Sequence, residues 1–133
     1  MILIVDDDDL VTMLVERVLT SEGYRVLTAS NGLDALKIYE AFQSEVQFVI
    51  LDFKMPGMNG FTLFSELRAI NPNLPAALTS GFVEDDQLAL MMSKGLRGFI
   101  PKPLTQQKLL LLLRSMLDKV QAEAKAARTS KNE

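Results

Sequence analysis

The stretch ILIVDDDDLVTMLVERVLTSEGYRVLTA, residues 2–29, predicts a strand, a helix and a second strand in succession. Residues 2–5 are apolar without interruption, which is typical of a strand that is buried on both faces of a sheet. Apolar residues then recur at helical spacing from Leu10 to Leu19, and Gly23 stands where a glycine commonly ends a helix. Residues 24–29 form the next predicted strand. Because a helix joins two buried strands, we expect the strands to be parallel.

The same alternation continues along the chain. Further strands are predicted at residues 47–51, 74–80 and 96–100, and further helices at residues 31–42, 61–70, 84–94 and from Thr105 to near Ala127. Strands that alternate with helices in this way predict an α/β fold: a doubly wound, five-stranded parallel sheet with helices on both faces. We expect one domain over residues 1–120, followed by a helical extension or frayed tail at residues 121–133.

The composition excludes several kinds of chemistry. The chain has 133 residues, a formal net charge of −3, and neither cysteine nor histidine. It therefore cannot form disulfides, thiolate metal sites or a phosphohistidine. The acidic balance argues against direct nucleic-acid binding, which usually needs a basic stripe. The longest apolar run, residues 109–113, is far shorter than the ~20 residues that span a membrane, and acids begin at position 6 where a signal peptide would be apolar. We expect a soluble, cytoplasmic protein without membrane insertion.

Polar residues follow four of the predicted strands. Asp6 and Asp7 follow the first strand, Asp52 follows the third, Thr79 and Ser80 end the fourth, and Lys102 comes just after the fifth. In open α/β sheets, the ligand crevice lies beyond the carboxyl ends of the strands. The sequence therefore predicts that three carboxylates, hydroxyl groups and one ammonium group meet at one edge of the sheet.

Clustered carboxylates repel one another unless a cation lies between them. Mg²⁺ suits such a site because it prefers oxygen ligands and needs only one or two carboxylates. A carboxylate beside Mg²⁺ can attack phosphorus, and a nearby lysine and hydroxyl group would bind the phosphoryl oxygens. These residues predict phosphoryl transfer onto Asp52. The two further acids of the run, Asp8 and Asp9, precede the first helix, where carboxylates accept backbone hydrogen bonds and favour the helix dipole.

Four motifs resemble those of the receiver domain of bacterial two-component response regulators. They are VDDD at residues 5–8, LDFKMPGMNG at 51–60, ALTSGF at 77–82 and FIPKPL at 99–104. They occur in the expected order at the predicted strand ends, and the resemblance spans about residues 1–120. The resemblance implies the flavodoxin-like strand order 2-1-3-4-5 within the CheY-like superfamily.

The resemblance also implies a role for each matching residue. Asp52 would be the phosphoacceptor. Asp7 would bind Mg²⁺ (or Mn²⁺) directly, Asp6 through water, and the backbone carbonyl of Lys54 would be a further ligand. Thr79 would supply the switch hydroxyl, and Phe99 would be the switch aromatic. Lys102 would bind the phosphate, and its peptide bond to Pro103 would be cis.

The resemblance implies a signalling switch rather than a turnover enzyme. The partner would be a sensor histidine kinase or a histidine phosphotransfer protein. The output face would be the fourth helix, fifth strand and fifth helix, which could bind a partner or a second copy. Two alternatives stay open: an aspartyl-phosphate phosphatase acting on small molecules, and an interaction module that is not phosphorylated. The phosphatase would need an acid two residues after the nucleophile, where this chain has Lys54.

Overall fold

A computed structural model of the protein describes residues 1–131. Five strands alternate with five helices along the chain, as the hydrophobic pattern predicts. The elements are β1 (Ile2–Val5), α1 (Asp9–Ser21), β2 (Val26–Ala29), α2 (Gly32–Ala41), β3 (Phe48–Asp52), α3 (Gly60–Ile70), β4 (Ala76–Ser80), α4 (Asp85–Ser93), β5 (Gly98–Pro101) and α5 (Gln106–Lys131).

The five strands form one parallel sheet in the order β2-β1-β3-β4-β5, which confirms the predicted fold class and strand order. Helices cover both faces of the sheet because successive side chains of a strand point to opposite faces. In β1, Leu3 and Val5 pack with residues of α2, α3 and α4, whereas Ile2 and Ile4 pack with residues of α1 and α5.

Local side-chain hydrogen bonds start most of the helices. Oxygens of Asp8, Asn31 and Asn59 accept from backbone N–H groups in the first turns of α1, α2 and α3, at 2.8–2.9 Å. Thr105 does the same for α5, at 3.2 Å. Glu84 precedes α4 and makes no such bond, so α4 begins without a side-chain cap. At the other end of α1, Gly23 has a φ of 92°, and its N–H donates to the carbonyl of Thr20.

Several element boundaries differ from the sequence prediction. β2, β4 and β5 each begin two residues later than predicted. Before β4 and β5, the buried apolar residues Leu74 and Leu96 lie in loops rather than in the sheet, whereas before β2 the loop residues Tyr24 and Arg25 are half-buried and exposed. Leu96, for example, is buried but donates its N–H to Met91 at the end of α4. α5 runs as one helix to Lys131, through the predicted boundary at residue 120, and residues 132–133 lie outside the described part of the chain.

Candidate functional site

The carboxyl ends of β1, β3, β4 and β5 form one edge of the sheet, and the polar residues predicted for the site lie there. Asp52 is the last residue of β3, and Thr79 is its partner in register on β4. Ser80 lies opposite Pro101 on β5, and its carbonyl accepts from the N–H of Lys102 at 2.9 Å. The sheet pairing therefore brings together residues that are far apart in the sequence.

Three carboxylates share this edge. Asp6, Asp7 and Asp52 each place one carboxylate oxygen within 4.8 Å of the others. Asp6 and Asp52 are buried, with 3% and 4% of their surface exposed, whereas Asp7 is exposed. Oδ1 of Asp6 accepts from the backbone N–H of Asp8 at 2.9 Å. Burial of two like charges so close together is unfavourable without a cation.

Lys102 supplies one positive charge to this acid cluster. Its Nζ lies 3.1 Å from Oδ2 of Asp6 and 3.4 Å from Oδ1 of Asp52. Oδ2 of Asp6 is buried, and the ammonium group of Lys102 is its ion-pair partner. Burial lowers the pKa of Lys102, but the contacts and charges of Asp6 and Asp52 outweigh burial and hold the pKa above its ordinary value. The peptide bond between Lys102 and Pro103 is cis.

The environment of Asp52 disfavours its charged form. Burial raises the pKa of Asp52 from its ordinary value of 3.8 to about 6, and the charge of Asp6 adds to the effect. The charge of Lys102 acts in the opposite direction but does not cancel the effect. The single positive charge of Lys102 therefore does not neutralise the negative charge of the three carboxylates.

The loop between β3 and α3, residues 53–59, lies beside the acid cluster. Lys54 and Asp7 both line a recess of about 450 Å³ at this loop. Gly60 begins α3 where there is no room for a side chain, because an added Cβ would lie 2.5 Å from the carbonyl oxygen of Asp52. The sequence prediction treated Gly60 only as a loop residue. Its position directly after the capping Asn59 was the available signal that it begins the helix.

Thr79 lies near the end of β4, and Phe99 lies on the neighbouring strand β5. Thr79 is 2% exposed, and its carbonyl accepts from the N–H of Phe53 at 3.0 Å. Phe99 is half-buried, pairs in register with Leu78, and packs against the core on the α2, α3 and α4 side. Ser80 donates from its hydroxyl to the carbonyl of Phe82 at 2.6 Å and shapes the loop before α4. Sequence reasoning recognised the hydroxyl of Ser80 but not this partner.

The four consecutive acids divide into two pairs. Asp6 and Asp7 belong to the carboxylate cluster. Asp8 accepts from the N–H of Leu10 at 2.9 Å and caps α1, and Asp9 lies in the first turn of that helix. The structure therefore places Asp8 and Asp9 at the helix start, as predicted.

The model of the response regulator receiver domain family matches residues 2–114 of the chain. The chain belongs to the response regulator receiver domain family. Receiver domains are the signalling switches of two-component systems, so the fold and the acid cluster belong to a signalling module. Among residues 1–131, no helix is both long and apolar enough to cross a membrane.

Individual relatives agree with this receiver assignment. The chain is 32% identical to the chemotaxis protein CheY of Treponema pallidum over 117 residues, 87% of this chain and 81% of that protein. It is 38% identical to a segment of the sensor kinase CckA of Brucella abortus over 118 residues, 89% of this chain but 12% of that kinase.

Solved structures of receiver domains have the same fold. A receiver domain from Clostridium thermocellum superposes with a TM-score of 0.82 at 27% identity, over 91% of this chain and 96% of that chain. CheY in the CheX–CheY–BeF3–Mg²⁺ complex from Borrelia burgdorferi also gives a TM-score of 0.82, at 30% identity over 87% of both chains.

Proposed function

We propose that this receiver domain accepts a phosphoryl group on Asp52 from a sensor histidine kinase or a histidine phosphotransfer protein, with Mg²⁺ or Mn²⁺ bound beside it. The observation that carries the proposal is a buried carboxylate with two further carboxylates within 4.8 Å and a lysine 3.4 Å away. The chain has no histidine, so the phosphoryl donor is another chain or domain.

The residues at the sheet edge fit a divalent cation. The acid cluster holds more negative charge than Lys102 neutralises, because the buried carboxylates of Asp6 and Asp52 share that one lysine. Asp6, Asp7, Asp52 and the backbone carbonyl of Lys54 would hold the ion, since carboxylate and carbonyl oxygens are the ligands that Mg²⁺ prefers. When bound, the ion would neutralise charge on the carboxylates and on the phosphoryl oxygens.

Each residue then has a defined part in the transfer. A carboxylate oxygen of Asp52 forms a bond to phosphorus while the bond from phosphorus to the donor's imidazole nitrogen breaks, and the electron pair of that bond stays on nitrogen. Asp52 reacts as the carboxylate, so it has no proton to lose. The ammonium group of Lys102 binds an oxygen of the phosphoryl group, and the hydroxyl of Thr79 donates to another.

The output of this reaction is a change of shape rather than a released product. We propose that Thr79 and Phe99 act as switch residues that alter the face formed by α4, β5 and α5. Of the helices of this face, α4 exposes Leu90 and Met92, at 45% each, and α5 exposes Leu111, at 71%. The face would bind a partner or a second copy. We also propose that the receiver comprises residues 1–120, with residues 121–133 as an extension, and that it works in the cytoplasm.

Phosphorylation is tested by incubating the protein with acetyl phosphate and Mg²⁺ and measuring the intact mass. We expect one added phosphoryl group in the wild type and none in Asp52→Asn. Asp9→Asn is the matched control, because Asp9 lies in the same acidic run but outside the cluster, and it should be phosphorylated normally. No adduct on the wild type would contradict the proposal and favour an interaction module. Rapid turnover of phosphoesters would favour a phosphatase.

The dimer version is tested separately by sedimentation velocity. The wild type would be measured at several concentrations, with and without beryllofluoride and Mg²⁺. We expect association only with the phosphoryl mimic, and Leu111→Lys should abolish the association because Leu111 is the most exposed large apolar residue described on α5. A monomer under all conditions would exclude the dimer but not a different partner.

A further inference from the structure

The C-terminal part of the β3–α3 loop contacts the first residue of α2 through Met58. Gly32 is buried, and a Cβ added to it would lie 2.6 Å from Sδ and 2.9 Å from Cβ of Met58. The sulfur end of a methionine can swing away, but its Cβ is fixed to the backbone. A side chain at position 32 would therefore have to displace the loop itself and not only the side chain of Met58.

Glycine at position 32 is not needed for the backbone. The glycines with positive φ are Gly23, Gly57 and Gly95, so the conformation of Gly32 is open to other residues. Alanine would also favour a helix more than glycine does. Among the described neighbours of Gly32, the three heavy atoms nearest to an added Cβ all belong to Met58. The space occupied by Met58 is thus the structural reason for glycine at this position.

The base of the loop is held by α3. The N–H of Gly60 donates to the carbonyl of Phe53 at 2.8 Å, and the side chain of Asn59 caps α3. Met58 also packs against the core on the α2 and α3 side. The C-terminal part of the loop is therefore held by α3 through Asn59 and by α2 through Met58, and the bond from Gly60 to Phe53 closes the loop that contains Lys54.

We propose that the contact of Met58 with Gly32 is a positioning contact for the metal site. The inference rests on the proposed function, in which the backbone carbonyl of Lys54 is a ligand. Lys54 and Asp7 line the same recess, so a displaced loop would move the carbonyl of Lys54 relative to the carboxylates of Asp7 and Asp52. Neither Met58 nor Gly32 touches the ion. They act by fixing the loop that carries a ligand.

The test measures Mg²⁺ affinity directly by isothermal titration calorimetry, with Mn²⁺ binding by electron paramagnetic resonance as a second readout. The variants are Gly32→Ala, Met58→Ala and the double variant, and circular dichroism checks that each is folded. We expect Gly32→Ala to weaken Mg²⁺ binding about tenfold, in the range found when the partners that orient metal ligands are removed. Met58→Ala should weaken binding as well, because the loop loses most of its contact with α2.

The double variant distinguishes positioning through this contact from two unrelated effects. Met58→Ala keeps the Cβ that the added methyl group meets at 2.9 Å, so the loop is displaced in the double variant as it is in Gly32→Ala. Because both substitutions remove the same contact, the double variant should bind Mg²⁺ no more weakly than Gly32→Ala alone. Leu33→Ala is the matched control, because Leu33 is the next residue of the same helical turn and is 65% exposed. It should bind Mg²⁺ like the wild type.

Two results would contradict this inference while leaving the proposed function intact. One is a wild type that binds Mg²⁺ normally while Gly32→Ala and Met58→Ala bind it equally well. The other is a double variant whose loss of affinity equals the product of the two single losses. Should the wild type fail to bind Mg²⁺ at all, the proposed function would be wrong and the inference would fail with it.

Discussion

Removing the charge of Asp52 should stabilise the metal-free protein, although Asp52 is the proposed phosphoacceptor. The side chain is almost fully buried, and its pKa is raised from 3.8 to about 6, first by burial and then by the charge of Asp6. A raised pKa means that the folded protein holds the carboxylate in its charged form less readily than the unfolded chain does. Above about pH 6 the carboxylate is charged in the folded protein, and this charge lowers the free energy of unfolding. Below about pH 4 the carboxyl group is protonated in both the folded and the unfolded chain, and the loss disappears.

The size of the effect follows from the two pKa values. The difference between 3.8 and about 6 corresponds to about 3 kcal/mol of unfolding free energy at pH 7.5. Part of this gain is offset because an amide at position 52 must also be buried. We expect Asp52→Asn to raise the free energy of unfolding by about 2 kcal/mol at pH 7.5. At pH 4.5 the carboxylate of the folded wild type is already protonated and the effect of its charge falls to about 1 kcal/mol, so the offset from the buried amide should leave almost no net gain.

The assay is urea unfolding followed by circular dichroism in EDTA at pH 7.5, 6.0 and 4.5, since the chain has no tryptophan to report by fluorescence. Asp9→Asn is the control, and removing this exposed charge from the first turn of α1 should bring no gain in stability. The reasoning would be refuted if Asp52→Asn were no more stable than the wild type at pH 7.5, or if its gain were the same at all three pH values.

Three further predictions concern other parts of the fold. Asp7→Ala should abolish Mg²⁺-dependent phosphorylation by acetyl phosphate, whereas Asp9→Ala should retain it; equal Mg²⁺ affinities in the two variants would show that the acidic run is divided wrongly. Gly60→Ala should destabilise the protein by at least ~2 kcal/mol in urea unfolding, because the added methyl group collides with the backbone at the end of β3. A loss of less than about 0.5 kcal/mol would contradict this packing. Met91→Ala should lower the free energy of unfolding by ~2–4 kcal/mol, because Met91 is the buried residue of α4, whereas Met92→Ala, at an exposed position, should change it little. Similar losses in the two variants would mean that Met91 does not anchor α4 to the core.

The sequence alone was sufficient for the architecture. Uninterrupted apolar strands such as residues 2–5 and 47–51 predict a sheet buried on both faces, and the helices between them require parallel pairing. Local chemistry also predicted Asp8 at the start of the first helix, because its carboxylate and the N–H of Leu10, from which it accepts, are only two residues apart. Such features depend on neighbours in the sequence, so they can be read without the fold.

The residues at the strand ends could be named from the sequence, but their relations could not. The position of Lys102 between Asp6 and Asp52, and the raised pKa of Asp52, arise because β1, β3 and β5 end at one edge of the sheet. The late starts of β4 and β5 were missed because Leu74 and Leu96, which are buried in loops, are as apolar as residues in a strand.

The contact of Met58 with Gly32 and the close approach of Gly60 to Asp52 were visible only in the tertiary structure. A glycine in a sequence indicates freedom of the backbone, but it does not identify the atom that occupies the space of the missing side chain. That atom comes from an element elsewhere in the chain and is set by how α2, α3 and the end of β3 pack together. The sequence by itself determined which groups reach the edge of the sheet, and tertiary packing decided how closely they meet, because distances between elements depend on contacts that no local pattern encodes.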